Sequence, residues 1–428
     1  MFSLVNLKEI SFQEKVVCVL VFLCPIFFLT QRGWTNTFYF LLLLISVTAL
    51  VSDWQRYIGK ADKLTWLVFF ILATPILVEL LAQVGRNEYK ASSFDSPSRF
   101  LGGAMLLLYF ARLKINREIF FLFCAGAWVG CFATFVSTLI NQESFWATRA
   151  ATYFVDPTNL GFNALLLVIC SMYLPLVTTA GAPSKICFVA VVALGGYVVF
   201  ISGARTSWIA LFVAIEVLII FIFRKKIPLL VVLQIGLFLL ILLAWESSDF
   251  ARNRILEMLD EFRNIQEHTV TSSSQFRLKL FLIDIELIKQ FPIFGTADGQ
   301  LPPFSEIHKS TPWITYEDYN MMVVAGAHSE FMAQLVRKGL LLGFISLVGT
   351  VLYPTYFFFK RRWSFCRKDR AVAITALMVC ATLLVSGLAI EFTNIKMNSS
   401  FLALFFALSY SYFLGKKEKK GRLVPKED

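Results

Sequence analysis

The chain has 428 residues, of which 57% are hydrophobic and 16% charged, with a mean hydropathy of +0.68 and a net charge of +11. A water-soluble domain of this length has no use for so much apolar surface, whereas runs of about 15 to 24 apolar residues suit the ~30 Å hydrocarbon core of a bilayer. The excess of lysine and arginine does not mark a nucleic-acid binder. It is gathered in short connectors: Arg224, Lys225 and Lys226; Lys360, Arg361, Arg362, Arg367, Lys368 and Arg370; and the tail with Lys416, Lys417, Lys419, Lys420 and Arg422. Such clusters set orientation and attract anionic lipid.

The first apolar run, about 16–30, is followed by Gln31-Arg32-Gly33-Trp34 rather than a small-residue cleavage site, so it is expected to stay as a signal anchor. Runs over about 37–52, 64–84, 99–113, 119–140, 160–180, 186–202, 207–223 and 228–245 follow, then 330–359, 371–390 and 400–414. The expected fold is therefore all-α, a polytopic integral membrane protein of about twelve transmembrane helices. Three stretches divide it: 1–245 with short connectors, a long outer loop over 246–329, and 330–428 with the last helices and a basic tail. The basic connectors share one side if both termini are cytoplasmic. That leaves 85–98, 141–159, a tight turn at 203–206, 246–329 and 391–399 on the other side.

Within the outer loop, Phe250, Arg254, Ile255, Met258, Leu259, Phe262 and Ile265 recur at helical spacing and predict an amphipathic helix. "TSSSQFRLKLFLIDIELIKQF" predicts a second helix, with Ser272–Ser274 as capping candidates and Pro292 as its end. Lys279, Asp284, Glu286 and Lys289 make this helix too charged to span, so it is expected on the membrane surface or against the bundle. The glycines and prolines between Phe294 and Val324 predict irregular loop. The eight cysteines, all but Cys366 within apolar runs, lack metal-type spacing and read as small core residues.

All three histidines fall in this loop. Their spacing matches no metal-ligand motif, so His268 and His308 read as surface residues. His328 differs, because Ser329 and Glu330 follow it and then an apolar run begins, which sets an imidazole at the membrane interface. Arg205, in "ISGARTSWIALF", sits between two apolar runs. It either snorkels to headgroup phosphates or binds an anionic lipid-linked substrate. Arg277 opens the second loop helix; a guanidinium grips phosphate oxygens in two-pronged fashion and keeps its charge.

In this order, "ISGARTSWIALF", "SSSQFRLKLFLIDIELIKQFPIFG" and "AHSEFMAQLVRKG" resemble the bacterial O-antigen ligases and the wider polysaccharide ligase/polymerase superfamily. The resemblance spans roughly residues 140–350 and rests on Arg205, Arg277, Pro292 with Gly295, and His328. "RAATYFVDPTNLGFNALL" is similar to a further family element through Arg149, Asp156 and Pro157, although Thr158 stands where asparagine is usual, with Asn159 next. After the histidine, Gly339 falls at the family position, while the following small residue comes one step late at Gly343.

The resemblance implies a membrane glycosyltransferase of GT-C type architecture in a bacterial inner membrane. Its donor is a glycan on undecaprenyl pyrophosphate and its acceptor a sugar of the lipid A–core. The pyrophosphate is already activated, so neither ATP, metal nor other cofactor is implied. By the same resemblance Arg205 and Arg277 hold the pyrophosphate, His328 is the catalytic base, and Arg149 and Asp156 support the neighbouring loop. A polymerase that extends a second lipid-linked glycan remains the alternative, and a transporter of the same lipid a third reading.

Overall fold

The computed structural model describes residues 11–140, 149–178, 181–223, 226–250, 252–253, 255–257, 273–296, 301–310, 312, 314–364 and 366–415. These residues form an all-α membrane protein, and nine of their helices are long and apolar enough to cross a bilayer. In chain order the helices are α1 (Phe12–Ile26), α2 (Trp34–Ser52), α3 (Lys63–Arg86), α4 (Asp95–Phe110), α5 (Asn116–Ile140), α6 (Pro157–Val177), α7 (Ala182–Ile201), α8 (Arg205–Phe223) and α9 (Ile227–Ser247). The loop segment adds α10 (Ser273–Gln290), α11 (Phe304–Ser310) and α12 (Tyr316–Ala325). The last third holds α13 (Glu330–Lys338), α14 (Leu340–Leu347), a π-helical turn (Val348–Leu352), α15 (Tyr353–Arg361), α16 (Arg367–Ser386) and α17 (Lys396–Leu414). Each of the twelve runs expected to span falls on helix. Among them α1 and α4 are short, at 15 and 16 residues.

The bundle is built around α6, α16 and α17. In α17, 83% of the spanning residues are buried, against 17% in α8, so α17 is central and α8 peripheral. Aromatic rings fill the centre: Phe28 stacks on Phe401 with centroids 4.2 Å apart, and Phe358 on Tyr410 at 5.0 Å. Gly126 and Gly130, four residues apart on α5, lie against the Phe22 and Pro25 carbonyls of α1. Lipid tails are as apolar as leucine, so helices in a bilayer associate through such close backbone packing rather than through hydrophobicity.

The span expected at 330–359 is broken. It divides at Gly339, whose φ of +79° suits glycine and ends the amphipathic α13; the membrane-crossing helix starts at Leu340. The break is held by the turn that follows α10. The Leu340 amide donates to the Pro292 carbonyl at 2.8 Å and the Thr296 amide to the Val336 carbonyl at 2.8 Å. A Cβ on Gly295 would fall on the backbone of Arg337, and one on Gly339 on the Ile293 carbonyl. Gly343, one position late against the family spacing, lies against the Gln334 carbonyl and so closes the same corner.

The loop expected between Phe294 and Val324 contains two helices, α11 and α12. Pro302 and Pro303 precede α11, whose first turn begins on the Pro303 carbonyl, so they admit a helix instead of preventing one. Thr315 and Asp318 form a capping box that starts α12. Together with α10 these helices close a small second core of Leu280, Ile283, Leu287, Ile307, Ile314, Met322 and Val336. Helix α10 begins at Ser273 and ends before Pro292 as the sequence implied, and it lies against α12 and α13. Most of the amphipathic helix expected from Phe250 onward, including Met258, Leu259, Phe262 and Ile265, lies outside the described residues, as do Ser272 and His268.

Because glycine is required both for its φ and for the close approach of Ile293, Gly339→Ala should lower stability by about 2 kcal/mol or more. Thermal unfolding of the detergent-solubilised protein measures this; an unchanged midpoint would show that the break does not depend on that contact.

Candidate functional site

Helices α10 to α13 sit over the end of the bundle formed by the C-terminus of α3, the N-termini of α4, α6 and α17, and the 387–395 connector. Two hydrogen-bond systems and an ion pair fix them there. Glu330, 1% exposed in the first turn of α13, accepts from the Thr393 amide at 2.9 Å, from the Thr393 hydroxyl, and from Gln334 Nε2 at 2.7 Å. Its own amide donates to the Gly387 carbonyl at 2.8 Å, as does the Ser329 hydroxyl at 3.0 Å. Arg86, at the end of α3, donates to the carbonyls of Phe294 and Arg337 at 2.5 and 2.9 Å. Lys338 pairs at 3.8 Å with Glu79 of α3, both of them buried.

This scaffold encloses a cavity of about 600 Å³. Its wall includes Arg277 from α10, His328 from the turn before α13, Asp156, Thr158 and Asn159 from the start of α6, Arg337 from the end of α13, and Glu391 and Asn394 from the 387–395 connector. Small and aliphatic side chains fill the remainder, among them Ala327, Ala333, Ala389, Ile390 and Ile395.

His328 is half-buried, and its φ of +50° places a non-glycine residue in the left-handed region. Such a conformation costs on the order of 1–3 kcal/mol and persists where the surroundings determine it. It does not cap α13, because the Ser329 hydroxyl does that, receiving the Met332 amide. Burial lowers the His328 pKa below its usual 6.5, and the Arg277 charge lowers it further; Glu391 and Asp156 act in the opposite sense. The imidazole is thereby held neutral, able to accept a proton.

Asp156 caps α6, receiving the amides of Thr158 and Asn159 at 2.9 and 3.2 Å and the Asn159 side chain at 2.5 Å. Arg149 spans two elements, donating to the Ser202 carbonyl at 2.9 Å and to the Thr158 hydroxyl at 3.3 Å. It ties the start of α6 to the turn that ends at Arg205, and it uses the threonine that stands in place of the family's asparagine. Arg205 opens α8 as expected, but it is absent from the described wall of the cavity and lies 4.0 Å from Glu257. His308 also stands apart: its Nδ1 is 3.0 Å from the Ile314 carbonyl and its ring packs on Phe304. Among the described residues, no three of the His, Cys, Asp and Glu side chains are grouped to hold a metal ion, and all eight cysteines are unpaired.

Arg337, Glu391 and Asp284 escape the sequence reading. Arg337 and Glu391 pair at 2.6 Å within the cavity wall, although 54 residues separate them. Asp284 lies two turns beyond Arg277 on α10; it is fully buried, and neither carboxyl oxygen has a hydrogen-bond partner among the described residues. Burial pushes its pKa up to about 8, with Glu391 adding to the shift and Arg337 opposing it.

A cavity lined by arginine, histidine and carboxylate, opening at one end of a polytopic helical bundle, defines a membrane protein equipped for polar chemistry at the bilayer surface. Residues 190–347 match the family described as O-antigen ligase. The matched stretch contains Arg205, Arg277 and His328. The chain is also similar to an uncharacterized protein of Haemophilus influenzae (strain KW20 / Rd), 24% identical over 365 residues, covering 81% of this chain and 87% of that protein.

The buried Asp284 gives a stability prediction. Its folded pKa of about 8 lies above the ordinary carboxyl value of 3.8, so the native state favours the protonated form. Stability from this group is complete below the unfolded pKa and is lost as pH rises through 8. Asp284→Asn should therefore melt higher than the parent, with a gap that widens from about pH 4 to pH 8 and then levels. A gap independent of pH, read by thermal scans across that range, would show that Asp284 is ionised throughout.

Proposed function

We propose that this chain is an O-antigen ligase. It moves a polysaccharide from undecaprenyl pyrophosphate to a sugar of the lipid A–core at the periplasmic face of the inner membrane, with both termini cytoplasmic. The observation that carries the reading is one cavity lined by both Arg277 and His328, whose pKa burial and Arg277 lower, within the stretch that matches the O-antigen ligase family.

In this mechanism the acceptor hydroxyl gives its proton to His328 as its oxygen bonds to the anomeric carbon of the donor sugar. The bond from that carbon to the pyrophosphate oxygen breaks, and its electron pair leaves with the lipid pyrophosphate. Arg277 faces the charge that grows on the leaving oxygens, where a preorganised guanidinium stabilises the transition state most. The proton on His328 then passes to solvent or to the departing pyrophosphate. The cavity supports Arg277 more directly than Arg205 in this role, since Arg205 is engaged near Glu257 outside the described wall. Asp156 holds the start of α6 against the site and leans electrostatically on His328.

Lipopolysaccharide from a deletion strain tests the reaction. A ligase loss leaves lipid-linked polymer and a bare core, whereas core carrying one repeat unit would show a polymerase. In purified protein, His328→Gln should cut transfer about 100- to 10,000-fold, the usual cost of removing a positioned base. Full activity in that variant would end the base assignment.

The pH profile carries a second test. Transfer requires neutral His328, so kcat/KM should fall on the acid side with a midpoint below 6.5. Arg277→Gln removes a charge that depresses this pKa, so the residual activity should show the acid limb moved upward in pH. An unmoved limb would mean that the titrating group is not next to Arg277.

A further inference from the structure

The cavity holds a second polar group that the transfer mechanism leaves unused. Arg337 Nη2 donates to Glu391 Oε2 at 2.6 Å, and Asn394 Nδ2 approaches the same oxygen at 3.5 Å. The other carboxylate oxygen, Oε1, lies beside Gly326, two residues before His328; a Cβ at Gly326 would meet it at 2.8 Å. Gly326 has a φ of +72°, a further reason for glycine at that place. The backbone of Arg337 is immobilised, with its carbonyl taking Arg86 Nη1 and Gly295 packed directly on it. The ion pair is therefore a fixed part of the wall, and Ala327, Ala333 and Ala389 leave room in the same wall.

The chemistry of this pair suits neutral hydroxyls. A phosphate drawn to Arg337 would confront the Glu391 carboxylate at once, and like charges at such range oppose binding. Neighbouring hydroxyls of a sugar meet no such opposition: one donates to carboxylate oxygen while the next accepts from the guanidinium. The aliphatic lining from Ile390 and Ile395 offers apolar surface to the C–H face of a sugar ring. Glu391 also acts on the His328 charge, so the pair and the base share one neighbourhood.

We infer that Arg337 and Glu391 form a sugar-hydroxyl subsite that seats the acceptor sugar for His328, separate from the Arg277 side that meets the pyrophosphate. This rests on the glycan-transfer reading above. Both residues are positioning residues: they hold the acceptor and take no proton from it.

The test uses full-length protein in detergent, with lipid-linked polymer and rough lipopolysaccharide extracted from the deletion strain as the two substrates. Glu391→Gln and Arg337→Lys should each raise the acceptor KM about 10- to 100-fold, the loss expected for one hydrogen bond to a charged group, and leave the donor KM unchanged. Glu391→Asp should recover part of the loss. The paired swap Arg337→Glu with Glu391→Arg restores the ion pair, so it should keep the parent's thermal midpoint while the acceptor KM stays high. The subsite is overturned if donor and acceptor KM rise together, if kcat alone falls, or if the swap restores the acceptor KM. If wild-type protein transfers nothing between these substrates, the glycan-transfer reading fails and the subsite with it.

Discussion

A single buried carboxylate, Glu330, determines where the catalytic candidates stand. Removing a carboxylate from water is costly unless its oxygens are fully engaged. Glu330 is engaged by the Thr393 amide and hydroxyl and by Gln334, while its own amide is taken by Gly387. Burial still raises its pKa, against the hydrogen bonds that favour its charge. This one side chain fastens the start of α13 to the connector between α16 and α17. His328 precedes it by two residues, Arg337 follows by seven, and Glu391 stands two residues before Thr393. Without the anchor, the Arg86 and Lys338 contacts and the Arg337–Glu391 pair would be left to hold these residues to one wall.

The same end of the bundle shows how charge is tolerated near a bilayer. Arg99 of α4 meets Asp95 at 2.6 Å and Ser400 at 3.0 Å, and Lys396 at the start of α17 also reaches Asp95. Glu79 is joined to Lys338 and to Gln83. Charges placed in or beside hydrocarbon are expensive unless paired or facing a polar space. Here they do both, and the pairs clamp α13 onto α3 and α4 onto α17, so that the polar chemistry occupies a rigid frame. Asp284 breaks this pattern: it has no hydrogen-bond partner among the described residues, and burial pushes its pKa up to about 8, which favours the protonated form.

Hydrophobic runs revealed the spanning helices because a bilayer imposes both length and composition, and neither depends on tertiary contacts. Arg277 and His328 were legible because each stands at a helix start within a recognisable local pattern. The break at Gly339 was not, since apolar residues lie on both sides and the glycine's role depends on Ile293, far back in the chain. Helices α11 and α12 were hidden by prolines and glycines that mark loops in general, but here Pro302 and Pro303 lead into α11 and Thr315 caps α12. The Arg337–Glu391 pair joins residues 54 apart through the Glu330 anchor, and no spacing rule reaches that far. Arg205 draws attention through its local setting at the start of α8, and in the fold it lies 4.0 Å from Glu257.

The strained backbone at His328 gains meaning from these constraints. A left-handed histidine followed by the N-cap Ser329 is oriented by two fixed neighbours, with Gly326 on one side and the anchored first turn of α13 on the other. A base on a flexible loop would share its position among many conformers, whereas effective proton transfer needs hydrogen-bond reach to one hydroxyl. Burial and Arg277 supply the neutral imidazole, and Glu391 and Asp156 limit how far its pKa falls. Too low a pKa would leave a poor base, and too high a one would leave a protonated ring. The cavity thus balances Arg277 against Glu391 and Asp156 around a single neutral histidine, and the fold holds the three charges in register with it.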